Sequence, residues 1–129
     1  MLNVSKTTLM RSCDKNMTEK IGIPDAVLME NAANAVAQSI KKHTAGRKNG
    51  IRVFILIGPG NNGGDGLALL RILTAEGYNA EGILLFEPIQ NKKDEQSAAL
   101  PRSSAELNYQ IAINLGLPLS NDINRLNTC

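Results

Sequence analysis

Five of the chain's eleven glycines fall within nine residues, in the segment GPGNNGGDG at positions 58–66. The apolar, β-branched run Arg52–Ile57 comes directly before it and is typical of a buried parallel strand. Residues 67–76 follow it and predict a helix. The glycines therefore lie on a strand-to-helix turn, which is where doubly wound α/β sheets bind their ligands. The segment predicts an α/β fold built on a parallel sheet.

Such a turn suits an anionic ligand. Glycine lets a ligand approach the main chain closely, and the amino end of the following helix offers free N–H groups and a positive dipole end. The spacing Gly58-x-Gly60-x-x-Gly63 matches the dinucleotide-binding pattern. It is not a phosphate-binding loop of the Walker A type, because Gly64 and Asp65 stand where lysine and serine or threonine would be.

Oxygen-bearing side chains are interleaved with these glycines, namely Asn61, Asn62 and Asp65. A carboxylate beside a phosphate is unfavourable unless a cation or a hydroxyl lies between them. Amide and carboxylate oxygens are ligands for hard cations. Asp65 has two other possible roles, as a partner of ribose hydroxyls or as the helix N-cap of a tight turn that binds nothing.

GPGNNGGDG resembles the signature of the NAD(P)H-hydrate epimerase family, also called the YjeF N-terminal domain. The sequence GIP at 22–24, followed by LMENA at 28–32, resembles the family's upstream helix motif. Segments 105–108 and 115–118 resemble its next helix and turn. Together these motifs span most of the chain.

The resemblance implies a Rossmann-like, three-layer α/β/α fold with a parallel sheet, of which residues 1–129 would be the N-terminal part. It implies an isomerase that interconverts the R and S epimers of hydrated NADH or NADPH, in a possible homodimer, with a fused or separate dehydratase. The implied binding site for the hydrated dinucleotide is Asn61, Asn62, Gly63, Gly64 and Asp65. Asn62 would also bind a potassium ion.

The sequence departs from the family pattern in one respect. In the family, a downstream strand ends in an aspartate and a Gly-Thr-Gly-type turn, which supply the catalytic carboxylate and half of the binding site. No aspartate followed by Gly-x-Gly occurs after Asp65, and neither Asp94 nor Asp122 has that context. No catalytic residue is therefore assigned, and residues 1–129 alone are expected to be inactive.

Two other classes of function remain open. A non-catalytic binding or scaffold module of the same family is one, although protein–protein contact does not require an intact Asn-Asn-Gly-Gly-Asp segment. An NAD-dependent oxidoreductase is the other, because Glu87 follows the second predicted strand, where such enzymes bind the ribose hydroxyls.

Composition and net charge limit the classes of partner and the cellular location that are expected for this chain. A net charge of +2 does not indicate nucleic-acid binding. No apolar run approaches the roughly 20 residues that a membrane-spanning helix needs, and no signal-peptide pattern begins the chain. Cys13 and Cys129 have no metal-binding spacing and are predicted to be free thiols in a reducing compartment. These features predict a cytoplasmic protein.

The remaining elements follow from periodicity and from caps. Ser103 or Ser104 is predicted to begin the last helix, with Leu107, Ile111 and Leu115 on its apolar face. The predicted elements are helices at 5–20, 25–42 and 103–115, a second strand at 80–86, a polar surface loop at 88–102, and at most the beginning of a third strand at 117–119.

Overall fold

The computed structural model describes residues 6–87 and 103–128. The predicted loop at 88–102 and Cys129 lie outside these residues. In chain order the elements are α1 (Thr7–Asn16), a π-helical turn (Met17–Ile21), α2 (Asp25–His43), β1 (Arg52–Ile57), α3 (Asn61–Ala75), β2 (Asn79–Leu84), α4 (Ser104–Asn114), β3 (Leu119–Ser120) and a 3₁₀ helix (Ile123–Thr128).

The three strands form one parallel sheet in the order β1-β2-β3. Arg52 pairs with Asn79 and Ile57 with Leu84, so the predicted parallel pairing of the first two strands is confirmed. The second strand was predicted at 80–86, but it begins and ends earlier. The amide of Leu85 still donates to the carbonyl of Ile57 at 2.9 Å, but β1 ends there and offers later residues no partner.

Helix α3 lies at the centre of the core. It packs against β1 and β2 on one side and against α2 and α4 on the others. Its leucines and isoleucine are buried because they meet neighbours on most sides. Leu70 and Leu73 are fully buried with Ile57 of β1. Each such side chain contributes about 1.5–3 kcal/mol through burial.

Packing against α3 determines which faces of the outer helices are buried. In α2, Met29, Ala33 and Ala37 are buried one turn apart, whereas Val36 is 47% exposed. In α4 the predicted face was wrong, because the buried residues are Asn108 and Ala112. Packing against α3 sets the rotation of α4, and its apolar Leu115 is 59% exposed as a result.

Alternation along the strands shows what covers each face of the sheet. Ile55 and Ile57 of β1 point to α3, so Phe54 and Leu56 point to the other face. On that other face Glu81 is buried between Arg52, at 3.4 Å, and Arg125 of the 3₁₀ helix, at 3.1 Å. The described residues thus contain the sheet and one helical layer, with only this 3₁₀ helix across from it.

Helix α1 contributes nothing to this core, since every one of its residues is exposed, including Cys13.

Among the described residues, none of the helices combines the length and the apolar character needed to cross a membrane.

Candidate functional site

The glycine-rich segment is mostly helical. Helix α3 was predicted to begin near residue 67, but it begins at Asn61, so only residues 58–60 form the turn. Gly60 precedes the helix with φ 90° and ψ −162°, a backbone conformation that favours glycine. Asn61, Asn62, Gly63, Gly64 and Asp65 therefore occupy the first turns of α3 rather than a loop.

Gly63 and Gly64 are buried because other parts of the chain approach them closely. A Cβ on Gly63 would overlap the carbonyl oxygen of Gly58. A Cβ on Gly64 would lie 2.5 Å from the sulfur of Met29 and 2.9 Å from the Cα of Ala105. Both positions need a residue without a side chain, and the glycines hold the amino end of α3 against the strand end and against α2 and α4.

The first turn of α3 has unpaired backbone donors. The carbonyl of Gly60 accepts from the amides of Gly63 and Gly64, at 3.1 and 3.3 Å. Among the described residues, the amides of Asn61 and Asn62 have no backbone acceptor, and both side chains are exposed. An anion at this helix end would therefore meet the amides of Asn61 and Asn62 rather than those of the two buried glycines.

Asp65 lies one turn into α3 and is not its N-cap, because Gly60 occupies that position. Partial burial raises the pKa of the Asp65 carboxyl above its ordinary value of 3.8, and the nearby carboxylates of Asp25 and Asp14 raise it further. The amino end of α2 and the carboxyl end of α1 thus bring negative charge to the same place. A cation there would relieve the repulsion among the three carboxylates.

Replacing Asp65 with asparagine is expected to raise the melting temperature at pH 7. A raised pKa means that the folded chain binds the proton more tightly than the unfolded chain, so the ionised carboxyl destabilises the fold. The advantage of Asp65→Asn should shrink as the pH falls from 7 and vanish below about 3.8, where both states are protonated. Thermal melts from pH 3 to 8 measure it.

The control for this prediction is Glu87→Gln, which removes an exposed carboxylate with no described contact. It should leave the pH dependence of the melting temperature as it is. An unchanged or lowered melting temperature for Asp65→Asn at pH 7 would contradict the electrostatic picture of the site.

Three helices begin at the carboxyl ends of the strands, where the glycine segment lies. Met29, in the second turn of α2, contacts Gly64 near the start of α3. At the other end of the two helices, Lys41 of α2 pairs with Glu76 at 2.9 Å. Helices α2 and α3 therefore run parallel. In α4, the amide nitrogen of Asn108 donates to the sulfur of Met29 at 3.1 Å. The amino ends of α2, α3 and α4 therefore meet around the glycine segment.

Sequence reasoning missed Met29 and Asn108 as supports of this site. Asn108 is only 7% exposed, and its side chain also donates to the carbonyl of Ser104 at 3.1 Å. The available signal was the family resemblance of the segments that contain the two residues. Ser103 is the N-cap of α4, one of the two predicted alternatives, and its hydroxyl accepts from the amide of Glu106 at 3.1 Å.

Other acidic residues stand apart from the site. Glu30 pairs with Arg71 of α3. Glu87, the residue expected in an oxidoreductase, is exposed and lies three residues beyond the end of β2. Within residues 6–87 and 103–128, no group of three His, Cys, Asp or Glu side chains is arranged to hold a metal ion. Any cation site here would therefore depend on amide and backbone oxygens as well as on Asp65.

A shallow concavity of about 440 Å³ lies at the opposite end of the sheet, where β1 begins. The end of α2 and the beginning of β1 line it, through Ser39, Ile40, His43, Arg52, Val53 and Phe54. Because the glycine segment follows the carboxyl end of β1, this concavity is not part of the candidate site.

The family model described as YjeF-related protein N-terminus matches residues 25–122, about three quarters of the chain. The chain belongs to this family. The matched residues include the helix α2, the glycine segment and α4, which are the elements that meet at the candidate site.

Curated relatives in the YjeF-related family carry names that describe cofactor repair. An NAD(P)H-hydrate epimerase of Limosilactobacillus fermentum is 43% identical over 90 residues, which are 70% of this chain and 42% of that protein. One of Leuconostoc mesenteroides is 43% identical over 79 residues, 61% of this chain and 34% of that protein. A bifunctional NAD(P)H-hydrate repair enzyme of Moorella thermoacetica is 38% identical over 88 residues, 68% of this chain and 17% of that protein.

A solved structure supports the same fold. The crystal structure of yeast ynu0, YNL200c, is similar with a TM-score of 0.68 and 30% sequence identity, covering 94% of this chain and 48% of that one. The predicted Rossmann-like α/β class is thereby confirmed. The chain spans less than half of the length of each of these relatives.

Proposed function

We propose that this chain carries part of the active site of an NAD(P)H-hydrate epimerase, which interconverts the epimers of hydrated NADH and NADPH. The observation that carries the proposal is the amino end of α3. There, the unpaired amides of Asn61 and Asn62 adjoin Asp65, whose pKa is raised, in a chain whose curated relatives bear that enzyme's name.

The site has donors for a phosphate and oxygens for a cation. The amides of Asn61 and Asn62 and the positive end of the helix would bind a phosphate of the dinucleotide. Asp14, Asp25 and Asp65 would repel that phosphate. A cation held between these carboxylates and the phosphate would remove the repulsion. We therefore propose that the dinucleotide and the cation bind in a linked manner.

We propose potassium as the cation, with the side chain of Asn62 as a ligand. Asn61, Asn62 and Asp65 offer amide oxygens and one carboxylate, a set of low charge. Magnesium requires near-ideal octahedral geometry and is usually bound by carboxylates together with substrate phosphates. A larger monovalent ion fits a set dominated by neutral oxygens. Bound there, potassium would supply positive charge beside the phosphate.

The residues of this chain would bind and orient the substrate. Gly63 and Gly64 fix the position of α3 through their close contacts, and the exposed Asn61 and Asn62 would face the ligand. The acid–base group that moves the proton is not assigned to a described residue. We further propose a cytoplasmic homodimer. We also propose that it works with a fused or separate dehydratase, and the bifunctional names of some relatives support a second activity in the same protein.

The test joins the chain to a segment called here the complementary segment, the part of the Limosilactobacillus fermentum epimerase that follows its 90 matched residues. Chromatography separates the R and S epimers of hydrated NADH and follows their interconversion. The joined protein should equilibrate them about 10²–10⁴-fold faster than the chain alone, since a positioned acid–base group contributes this much. The rate should be higher in potassium chloride than in lithium chloride.

Two neighbouring asparagines supply a matched control. Asn62→Ala should remove the preference for potassium over lithium, while Asn61→Ala should reduce it less, because Asn62 is the residue assigned as the potassium ligand. A joined protein that binds intact NADH more tightly than hydrated NADH in calorimetry, and does not interconvert the epimers, would instead favour the oxidoreductase alternative.

A further inference from the structure

Glu81 is a charged residue on a face of the sheet that the candidate site does not use. Ala80 and Leu84 of β2 belong to the core against α3, so Glu81 and Ile83 point to the opposite face. The Glu81 side chain is only 9% exposed, and Ile83 is fully buried. A carboxylate is rarely buried to this extent unless it is paired.

Two guanidinium groups from different elements bind the Glu81 carboxylate. Arg125 of the 3₁₀ helix approaches both oxygens, because its Nη2 donates to Oε2 at 3.1 Å and its Nε pairs with Oε1. Arg52 of the neighbouring strand β1 donates to Oε2 at 3.4 Å. Forked contacts of the first kind are the stronger ones. The closer partner of the buried carboxylate therefore comes from outside the sheet.

Residues 121–128, called here the strap, follow β3 and carry Arg125. Local hydrogen bonds organise the start of the strap. The hydroxyl of Ser120 accepts from the amide of Asp122 at 3.0 Å, and Oδ1 of Asp122 accepts from the amide of Asn124 at 3.0 Å. These bonds turn the chain out of β3, but they do not attach the strap to the face that it crosses.

Apolar burial contributes little to that attachment. Leu126 is half-buried, and Ile123 is 55% exposed. Within residues 6–87 and 103–128, the 3₁₀ helix packs extensively against no other element. The pair between Arg125 and Glu81 is therefore the main described contact that holds the strap on the sheet.

The strap can leave the sheet without stranding a buried charge. Removing the partner of a buried charge is costly when the charge is left uncompensated. Here Arg52 remains beside Glu81 when Arg125 leaves, because Arg52 is held in β1 by its pairing with Asn79. The Arg125 side chain is also 46% exposed, so dissolved ions reach it and screen its attraction to the carboxylate.

We propose that the strap is a salt-sensitive latch, which Arg125 closes on Glu81 and which rising ionic strength opens. In the open state the face of β2 that carries Glu81 and Ile83 is uncovered, while the sheet and its packing on α3 are kept. Arg125 lies outside residues 25–122, which match the family model, so the latch belongs to this chain rather than to the matched domain. It does not depend on the proposed function.

NMR relaxation of backbone amides tests the latch by substitution. In the parent chain at low salt, Asn124 and Leu126 should have order parameters near about 0.85, and in Arg125→Gln these should fall below about 0.6. Gly82 should stay near about 0.85 in both chains, because the sheet is kept. The matched control is Arg47→Gln, which removes an exposed arginine whose Nε donates within its own turn, to the carbonyl of Thr44 at 3.3 Å. It should leave the strap ordered.

Salt tests the same latch without any substitution. Raising sodium chloride from about 0.01 to 1 M shortens the screening length from about 30 to 3 Å. In the parent chain, the order parameters of Asn124 and Leu126 should fall toward the values of Arg125→Gln, and those of Arg125→Gln should not change further. Circular dichroism should show the same fold at both salt concentrations.

Three outcomes would overturn the proposal. One is a strap that stays as ordered in Arg125→Gln, or in the parent chain at 1 M salt, as in the parent chain at low salt. Another is a strap that is already mobile in the parent chain at low salt, which would mean that Arg125 does not hold it. The third is a loss of order that spreads to Gly82, which would make the ion pair part of the core rather than a latch.

Discussion

Gly63→Ala should destabilise the protein by about 3 kcal/mol, at the upper end of the cost of overpacking. Helix propensity alone gives the opposite sign, because alanine is favoured over glycine inside a helix by about 1 kcal/mol. The new Cβ, however, would overlap the backbone carbonyl of Gly58, and a backbone atom cannot move aside as a side chain can. Urea unfolding measures the change in the free energy of unfolding, provided that its dependence on urea concentration is the same in the variant and the parent chain.

Gly58→Ala is the matched control for this prediction. Gly58 has no positive φ, and a Cβ there would have no neighbour within 4 Å. This variant should stay within about 0.5 kcal/mol of the parent chain. If Gly63→Ala were as stable as Gly58→Ala, then the close approach of α3 to the end of β1 would be wrong, and so would the geometry of the candidate site.

The second large effect is expected at Met29, which is buried and fills the space over Gly64. Met29→Ala should cost about 2–5 kcal/mol, since it leaves a cavity and also removes the acceptor of the Asn108 side chain. Gly64→Ala should also destabilise the fold, because its Cβ would lie 2.5 Å from the Met29 sulfur. Chemical unfolding of both variants gives the two values.

Combining the two substitutions isolates their contact. The double variant should be more stable than the sum of the single effects predicts, by about 0.5–3 kcal/mol, because the truncated Met29 leaves room for the new methyl group. A combination of Met29→Ala with Tyr78→Phe, at the other end of α3, should be additive within about 0.5 kcal/mol. Additivity in both pairs would contradict the packing of Met29 on Gly64.

The order of strands and helices could be predicted because local patterns of apolar residues determine it. The apolar run Arg52–Ile57 and the periodicity of α2 need no knowledge of the rest of the chain. The start of α3 was predicted six residues late, because five glycines in a row of nine indicate a loop when considered alone. Gly63 and Gly64 are instead helical, and Gly58, Met29 and Ala105 approach them too closely for any side chain.

The surroundings of the site could not be predicted, since they depend on contacts between distant residues. Asn108 and Met29 are 79 positions apart, and their contact lies on the buried face of α4. The pKa of Asp65 is raised partly by Asp14 and Asp25, which belong to two other elements. The sequence shows the residue types at the site but not which carboxylates share it.

Because the candidate site is formed by the first turns of the most central helix, we expect its geometry to depend on the folding of the core as a whole. α3 packs against α2, α4, β1 and β2, so we expect Gly63 and Gly64 to separate from their neighbours only when the core unfolds. A ligand that binds there adds its binding energy to global stability, about 2.7 kcal/mol at a hundred times its dissociation constant. Any weakening of the core anywhere along α3 lowers the fraction of molecules that can bind.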